Sequence, residues 1–182
     1  RLGKSGLVWG RGVSSPPAEG PVKKEGDLRS PAGIFELGGV YGTVPVPKKK
    51  RSMPYRRITP RDMWVDDPSS PLYNQHFVLK HDPVTPWEFK QQMKLNDYAH
   101  SLKLFIRHNA AGDQGHPVAG GGSSIFFHIW RRDGQAPTAG CTAMSEENLR
   151  AMIAWLDPSK HPLYVLLPSR EYLRLRKAWG LP

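Results

Sequence analysis

The chain has 182 residues, enough for one domain with a real core, and its 38% hydrophobic and 23% charged content argues against wholesale disorder. A net charge of +10 favours an acidic partner: a nucleic acid, an anionic membrane surface or a carboxylate-bearing polymer. The single cysteine, Cys141, excludes internal disulfides and any multi-cysteine metal site, and no apolar run approaches the ~18 residues of a membrane helix.

Residues 1–47 are punctuated by Gly and Pro around two short apolar runs, Leu7–Trp9 and Ile34–Leu37, a pattern that predicts β-hairpins. From Pro45 to Arg61 there are seven basic residues and no acidic one, and prolines recur, so this stretch is expected as a surface loop or edge. Residues 64–75 are rich in turn formers. A short helix is expected from Pro86 to Lys94, with Pro in its first turn. Ser101–His108 alternates, with Leu102, Leu104 and Ile106 on one face and Lys103, Phe105 and Arg107 on the other, which predicts a strand. Beyond a glycine-rich loop (Gly120–Gly122), Ser124–Trp130 is a second alternating strand, with Phe126, His128 and Trp130 on one face. Ser145 is a good N-cap residue; Glu146 and Glu147 suit the positive end of a helix dipole, and Leu149, Met152, Ile153 and Leu156 form one apolar stripe. Pro158 ends that helix. Leu163–Leu167 predicts a short buried strand, and Ser169–Trp179 a final basic helix. Many short strands and few helices make the protein mainly β.

The residues that carry chemistry gather around the lone thiol. Cys141 lies in Pro137-Thr138-Ala139-Gly140-Cys141-Thr142, expected as a loop leading into the Ser145 helix, where free N–H groups and the dipole would favour thiolate. Gly140 would let a substrate approach the backbone, and the local N–H groups would hold a developing oxyanion. Against this stands the ordinary role of a lone cysteine as a small buried hydrophobe. A thiol nucleophile needs a base within reach, and His128, thirteen residues upstream at the end of a predicted strand, is the candidate; the competing role is a packed strand histidine. His76, His81, His100, His108, His116 and His161 are scattered without a His-Glu-x-x-His spacing, so neither a metal nor a cofactor is expected. Gly3-Lys4-Ser5 lacks the upstream glycine of a phosphate-binding loop, and no long helix follows it.

Ser124–Ile129, followed by Pro137-Thr138-Ala139-Gly140-Cys141-Thr142-Ala143-Met144-Ser145, resembles the active-site segment of the L,D-transpeptidase (YkuD-type) catalytic domain. Upstream, Lys23–Phe35 is similar to that family's glycine-proline segment before a core strand, and Asp66–Asn74 and Tyr98–Asn109 fit one branch of it. The resemblance covers most of residues 1–168, leaving 169–182 as a C-terminal helical extension. It implies a mainly β sandwich or barrel with a few short helices, one of them following the active-site cysteine. It also implies an acyl-enzyme mechanism on peptidoglycan stem peptides, with a tetrapeptide as donor. Cys141 would then be the nucleophile, His128 the general base, and the Gly140 and Cys141 N–H groups the oxyanion donors.

The resemblance further implies covalent inhibition by carbapenems, and a periplasmic or envelope location after removal of a leader; the chain starts on Arg1. Arg131 and Arg132 would pair with stem carboxylates, and Thr138, Arg29, Tyr73, His81 and Asn109 are further substrate-binding candidates. The sequence departs from the better-known family motif, Ser/Thr-His-Gly-Cys, because Ala139 follows Thr138, and its His-to-Cys interval is shorter. The second histidine is therefore absent, which makes His128 more important. The rival reading within the family is an L,D-carboxypeptidase or endopeptidase, with water as acceptor. Nucleic acid is not an expected partner, since aromatics do not interleave with the basic run of residues 48–61 as a stacking surface would require, Tyr55 being the one aromatic there.

Overall fold

The computed structural model describes residues 1–13, 17, 19–46, 52–110 and 116–182. The protein is mainly β. Among the described residues nine strands follow in chain order: β1 (Leu7–Trp9), β2 (Ser30–Gly42), β3 (Tyr55–Arg57), β4 (Asp62–Trp64), β5 (His76–Val78), β6 (Leu102–Ile106), β7 (Phe126–Ile129), β8 (Thr142–Met144) and β9 (Leu163–Leu166). Among the same residues three α-helices accompany them: α1 (Pro86–Gln91), α2 (Glu146–Trp155) and α3 (Ser169–Leu175).

The organising element is the 13-residue β2. Its first half lies between β1, which is parallel to it (Leu7 opposite Ser30), and β9, which is antiparallel (Gly33 opposite Leu166). Its second half lies between β3, parallel (Val40 opposite Tyr55), and β6, antiparallel (Gly42 opposite Leu102). The register with β6 shifts between Leu37 and Val40, at Gly38-Gly39. A side chain at Gly38 would put its Cβ 2.6 Å from the Phe105 ring, so the bulge requires glycine there. From β6 the sheet continues through antiparallel β7 to parallel β8.

The β6–β7 pair is buried on both faces. Alternation sends Leu102, Leu104, Ile106, Phe127 and Ile129 into one cluster, which Leu149 and Ile153 of α2 and its C-cap Leu156 close. Burying each of those α2 side chains is worth ~1.5–3 kcal/mol, and Ser145 caps the helix by accepting from Asn148 N–H at 3.2 Å. The opposite face carries Phe105 and Phe126, which pack with Ile58, Trp64 and Met93, and Cys141 rests against this second cluster. β4, β5 and α1 belong to that side, since β4 pairs with β5 and Met63 bridges to Gln92 just after α1. Thr85 and Glu88 form a capping box at the start of α1. The α2 helix thus lies behind the sheet, and the thiol faces the front.

Several expectations from sequence are corrected. β1 and β2 pair in parallel across a long connection, so the first 47 residues do not form a simple hairpin. Within the stretch expected as a surface loop or edge, β3 pairs along the β2 edge, in keeping with that expectation, and Lys48–Arg51 lie outside the described residues. α1 stops at Gln91 because Gln92 turns to extended backbone. β9 is half-exposed instead of buried, with Leu163 53% accessible. α3 ends at Leu175, which is buried, and the Trp179 ring meets Trp9 of β1 edge-on at 6.3 Å.

Candidate active site

The loop before Cys141 is fixed by backbone chemistry. Thr138 Oγ1 donates to the Cys141 carbonyl at 2.6 Å and accepts from Gly140 N–H at 3.1 Å. Ser30 Oγ donates to the same carbonyl at 3.3 Å while accepting from Gly3 N–H at 2.8 Å. Gly140 has φ +151°, and a Cβ there would stand 3.0 Å from Arg29 O and 3.2 Å from the Ile125 side chain, so no other residue fits. The loop aims the half-buried Cys141 thiol at β7: Sγ accepts from Phe126 N–H at 3.5 Å and faces Ser124 O at 3.4 Å.

Cys141 does not lead directly into a helix, because β8 intervenes and α2 begins only at Glu146. The helix dipole is therefore not what acts on the thiol. Burial pushes its pKa up; the Phe126 N–H, then Lys103, Lys23 and Arg131, oppose that rise. The resting group is a thiol that needs a base.

His128 lies two residues beyond Phe126 on the same face of β7, opposite Lys103 of β6 and Ala143 of β8. Its Nδ1 lies 2.7 Å from Ile129 O. A carbonyl only accepts, so Nδ1 carries the proton and Nε2 keeps its lone pair. Burial, helped by the charge of neighbouring His100, lowers its pKa to about 4, which leaves the ring neutral near pH 7.

A second imidazole backs the first. His100 stacks on His128 with centroids 4.8 Å apart and planes 25° from parallel. Its Nδ1 is 2.7 Å from Asp97 Oδ1, which also accepts from His100 N–H at 3.0 Å, and the Arg131 guanidinium holds the other Asp97 oxygen. Burial alone would raise the Asp97 pKa, but the hydrogen bonds from Arg131 and His100 outweigh it and hold the carboxyl at about 2. Burial lowers the His100 pKa against the pull of Asp97. Sequence reading gave His100 no role. The signal available was Asp97 three residues before it, the spacing of an N-cap on the short 3-10 turn Tyr98–His100.

In front of the thiol is a cavity of about 160 Å³ whose walls include Cys141, Lys103, His100, Phe126, Trp64 and Gln91. Lys103 is 4% exposed, and burial brings its pKa down to about 8 against the opposing pull of Cys141 and Asp97. Among the described residues no three His, Cys, Asp or Glu side chains converge as a metal site would need, and no helix is long and apolar enough to cross a membrane.

Residues 2–165 match YkuD, the L,D-transpeptidase catalytic domain. The chain belongs to that family. No curated protein and no solved structure matches it. As a YkuD-family protein it is an enzyme of the L,D-transpeptidase type, and the peptides of peptidoglycan are the family's substrates.

Within this YkuD domain the substrate-binding candidates separate by place. Arg131 approaches the site through Asp97, and its charge is felt at Cys141. Thr138 is 8% exposed and is spent on the cysteine loop. Asn109, with φ +48°, ties the following loop through Val118 O at 2.9 Å and Gly122 O at 3.1 Å. Tyr73, buried, bonds Glu25 and accepts from Gly122 N–H at 3.0 Å. His81 is exposed, 3.6 Å from Glu88 before α1. Arg29 turns outward to Leu7 O at 3.3 Å, and Arg132 is exposed on the turn after β7. None of these seven lines the Cys141 cavity. Lys103, Gln91 and Trp64, which do, were missed.

Proposed function

We propose that this enzyme is a peptidoglycan L,D-transpeptidase that works through a Cys141 thioester. The observation that carries the reading is the thiol itself: it is held against β7, on the face that bears neutral His128, at the wall of a cavity. His128 Nε2 takes the thiol proton as Sγ bonds to the carbonyl carbon of the third stem residue. The oxyanion is received by the Cys141 N–H; Gly140 N–H is already committed to Thr138. Collapse breaks the C–N bond, and His128 returns its proton to the departing amine of the terminal D-residue. An amine of a second stem then attacks the thioester, loses a proton to His128 and releases the thiol with the cross-link formed. The location that fits this substrate is the cell envelope, and carbapenems, whose strained amide presents the same electrophile, are expected to acylate Cys141.

Intact-protein mass after incubation with a disaccharide-tetrapeptide, with Cys141→Ala as control, tests the reading. A Cys141-dependent loss of terminal D-alanine with a dimeric product supports transpeptidation; the same loss without dimer makes the enzyme an L,D-carboxypeptidase. No adduct and no product removes the thioester mechanism for this donor. Because His100 lines the cavity beside Cys141, it is the second candidate for the base. Alkylation of Cys141 by iodoacetamide is expected to slow ~10²–10⁴-fold in His128→Ala. A larger loss in His100→Ala would transfer the role.

A further inference from the structure

The cavity beside Cys141 contains polar groups with hydrogen-bonding capacity that acyl transfer leaves unused. Lys103 Nζ donates to Met93 O at 2.8 Å and stands 5.5 Å from the Phe126 ring centroid. An ammonium has three protons, and among the described residues no other acceptor and no carboxylate takes the remaining two. Asp97 acts on Lys103 only from a distance, its oxygens being held by His100 and Arg131, and a buried cation with no carboxylate in contact among the described residues is costly, so its presence calls for an anion that arrives from outside. Gln91 supplies an independent sign. It is 2% exposed, its Oε1 accepts from Asp66 N–H at 2.7 Å, and its buried Nε2 has no hydrogen-bond partner among the described residues.

Charge and size narrow the guest. Among the described residues Asp66 is the one carboxylate of the wall and its Oδ1 accepts no hydrogen bond; Lys90 Nζ stands 3.3 Å from that oxygen. With Lys90 offsetting Asp66, Lys103 leaves the wall net positive. A cavity of about 150 Å³ accommodates a benzene ring, and the cavity here is about 160 Å³; an alanine has as many heavy atoms as that ring.

We infer that this cavity seats the terminal D-residue of the donor stem, with its carboxylate on the Lys103 ammonium and the Gln91 amide. The inference rests on the function proposed above and assigns its leaving-group subsite. It makes the enzyme selective for donors that end in a small residue with a free carboxylate. Trp64 and Phe126, in the same wall, set the size limit.

The test is calorimetric binding to the full chain carrying Cys141→Ala, which needs no turnover. The two ligands are a disaccharide-tetrapeptide ending in D-alanine and the same compound ending in D-alaninamide. Hydrogen bonds to charged groups predict that the carboxylate ligand binds ~10–100-fold more tightly. Adding Lys103→Met should erase that advantage and leave the amide ligand's affinity unchanged. Gln91→Met should reduce the advantage severalfold, and it decides the matter if Lys103→Met fails to fold.

Equal affinity for the two ligands overturns the inference, as does an advantage that survives Lys103→Met, or no binding of either. The function proposed above fails separately, through absence of a wild-type adduct. A preference for the carboxylate in the Cys141→Ala protein would then stand without it.

Discussion

The absent second histidine of the cysteine motif has a counterpart in space. Ala139 is exposed and brings no functional group, whereas His100, from a different part of the chain, lies face to face with His128. Asp97 holds His100 Nδ1 as a proton donor, and Ile129 O does the same for His128, so both rings present Nε2 as an acceptor. Of the two, only His100 has a carboxylate to orient it. Asp97→Ala would free both His100 and Arg131, and displacement of a catalytic ring by about 1 Å costs on the order of 10²-fold in rate. The expected result is a fall of that order in kcat with little change in KM, because Asp97 is not part of the cavity wall. Steady-state kinetics on the disaccharide-tetrapeptide checks it; a change confined to KM would mean that Asp97 and Arg131 serve the substrate instead. Cys141 and His128 could be named as candidates from sequence because a lone thiol in a Gly-bearing loop and a histidine in an alternating strand are local patterns. The Asp97–His100 support was not, since it depends on stacking between β7 and a turn 28 residues earlier.

At the level of elements, the alternation of β6 was legible while the environment of its second face was not. Leu102, Leu104 and Ile106 do face α2, as their pattern predicts. Lys103 and Phe105 were placed on the other face with no cover assigned to it; β4, with Trp64, and the stretch after α1 cover them, and that cover is built from short strands no periodicity could identify. The same physics hid β8: three residues cannot display a period. The helix behind the site was legible because cap, first-turn acids and stripe all agree, and it makes a clean test of how the sheet is supported. Leu149 is fully buried between α2 and the sheet, so Leu149→Ala should cost ~2–5 kcal/mol through lost burial and the cavity left behind. Urea unfolding should show a lowered midpoint while Cys141 alkylation in the folded protein keeps its rate, because the thiol lies on the opposite face. A changed alkylation rate at full folding would show that the two faces are coupled.

Over the whole molecule, buried histidines give the enzyme an acid sensitivity that its net charge of +10 alone would not. His108 is fully buried; its Nδ1 accepts from Arg11 N–H at 3.1 Å and its Nε2 donates to Gly121 O at 3.0 Å, so a second ring proton would break the first bond. Burial, the main cause, lowers its pKa to about 3, and that of His128 to about 4. The folded values lie below the ordinary 6.5 of the unfolded chain, so as pH falls the unfolded state takes up these protons first. The stability that the neutral rings allow is complete above pH 6.5 and is lost as pH falls towards the folded values. The paired carboxylates act lower. Asp62, whose burial is outweighed by Arg56, Thr59 and His76, and Asp97 are both held at about 2 against an ordinary 3.8, so their contribution is lost only below that value. Between pH 6.5 and about 4.5 the loss therefore belongs to the histidines, at up to ~1 kcal/mol per pH unit for each ring. Urea midpoints at pH 7, 6 and 5 should fall progressively, and His108→Gln should flatten the decline, since glutamine takes up no proton there. A midpoint constant from pH 7 to 5 would mean that water reaches both rings, and the sealed environment assigned to His128 as the neutral base would have to be given up with it.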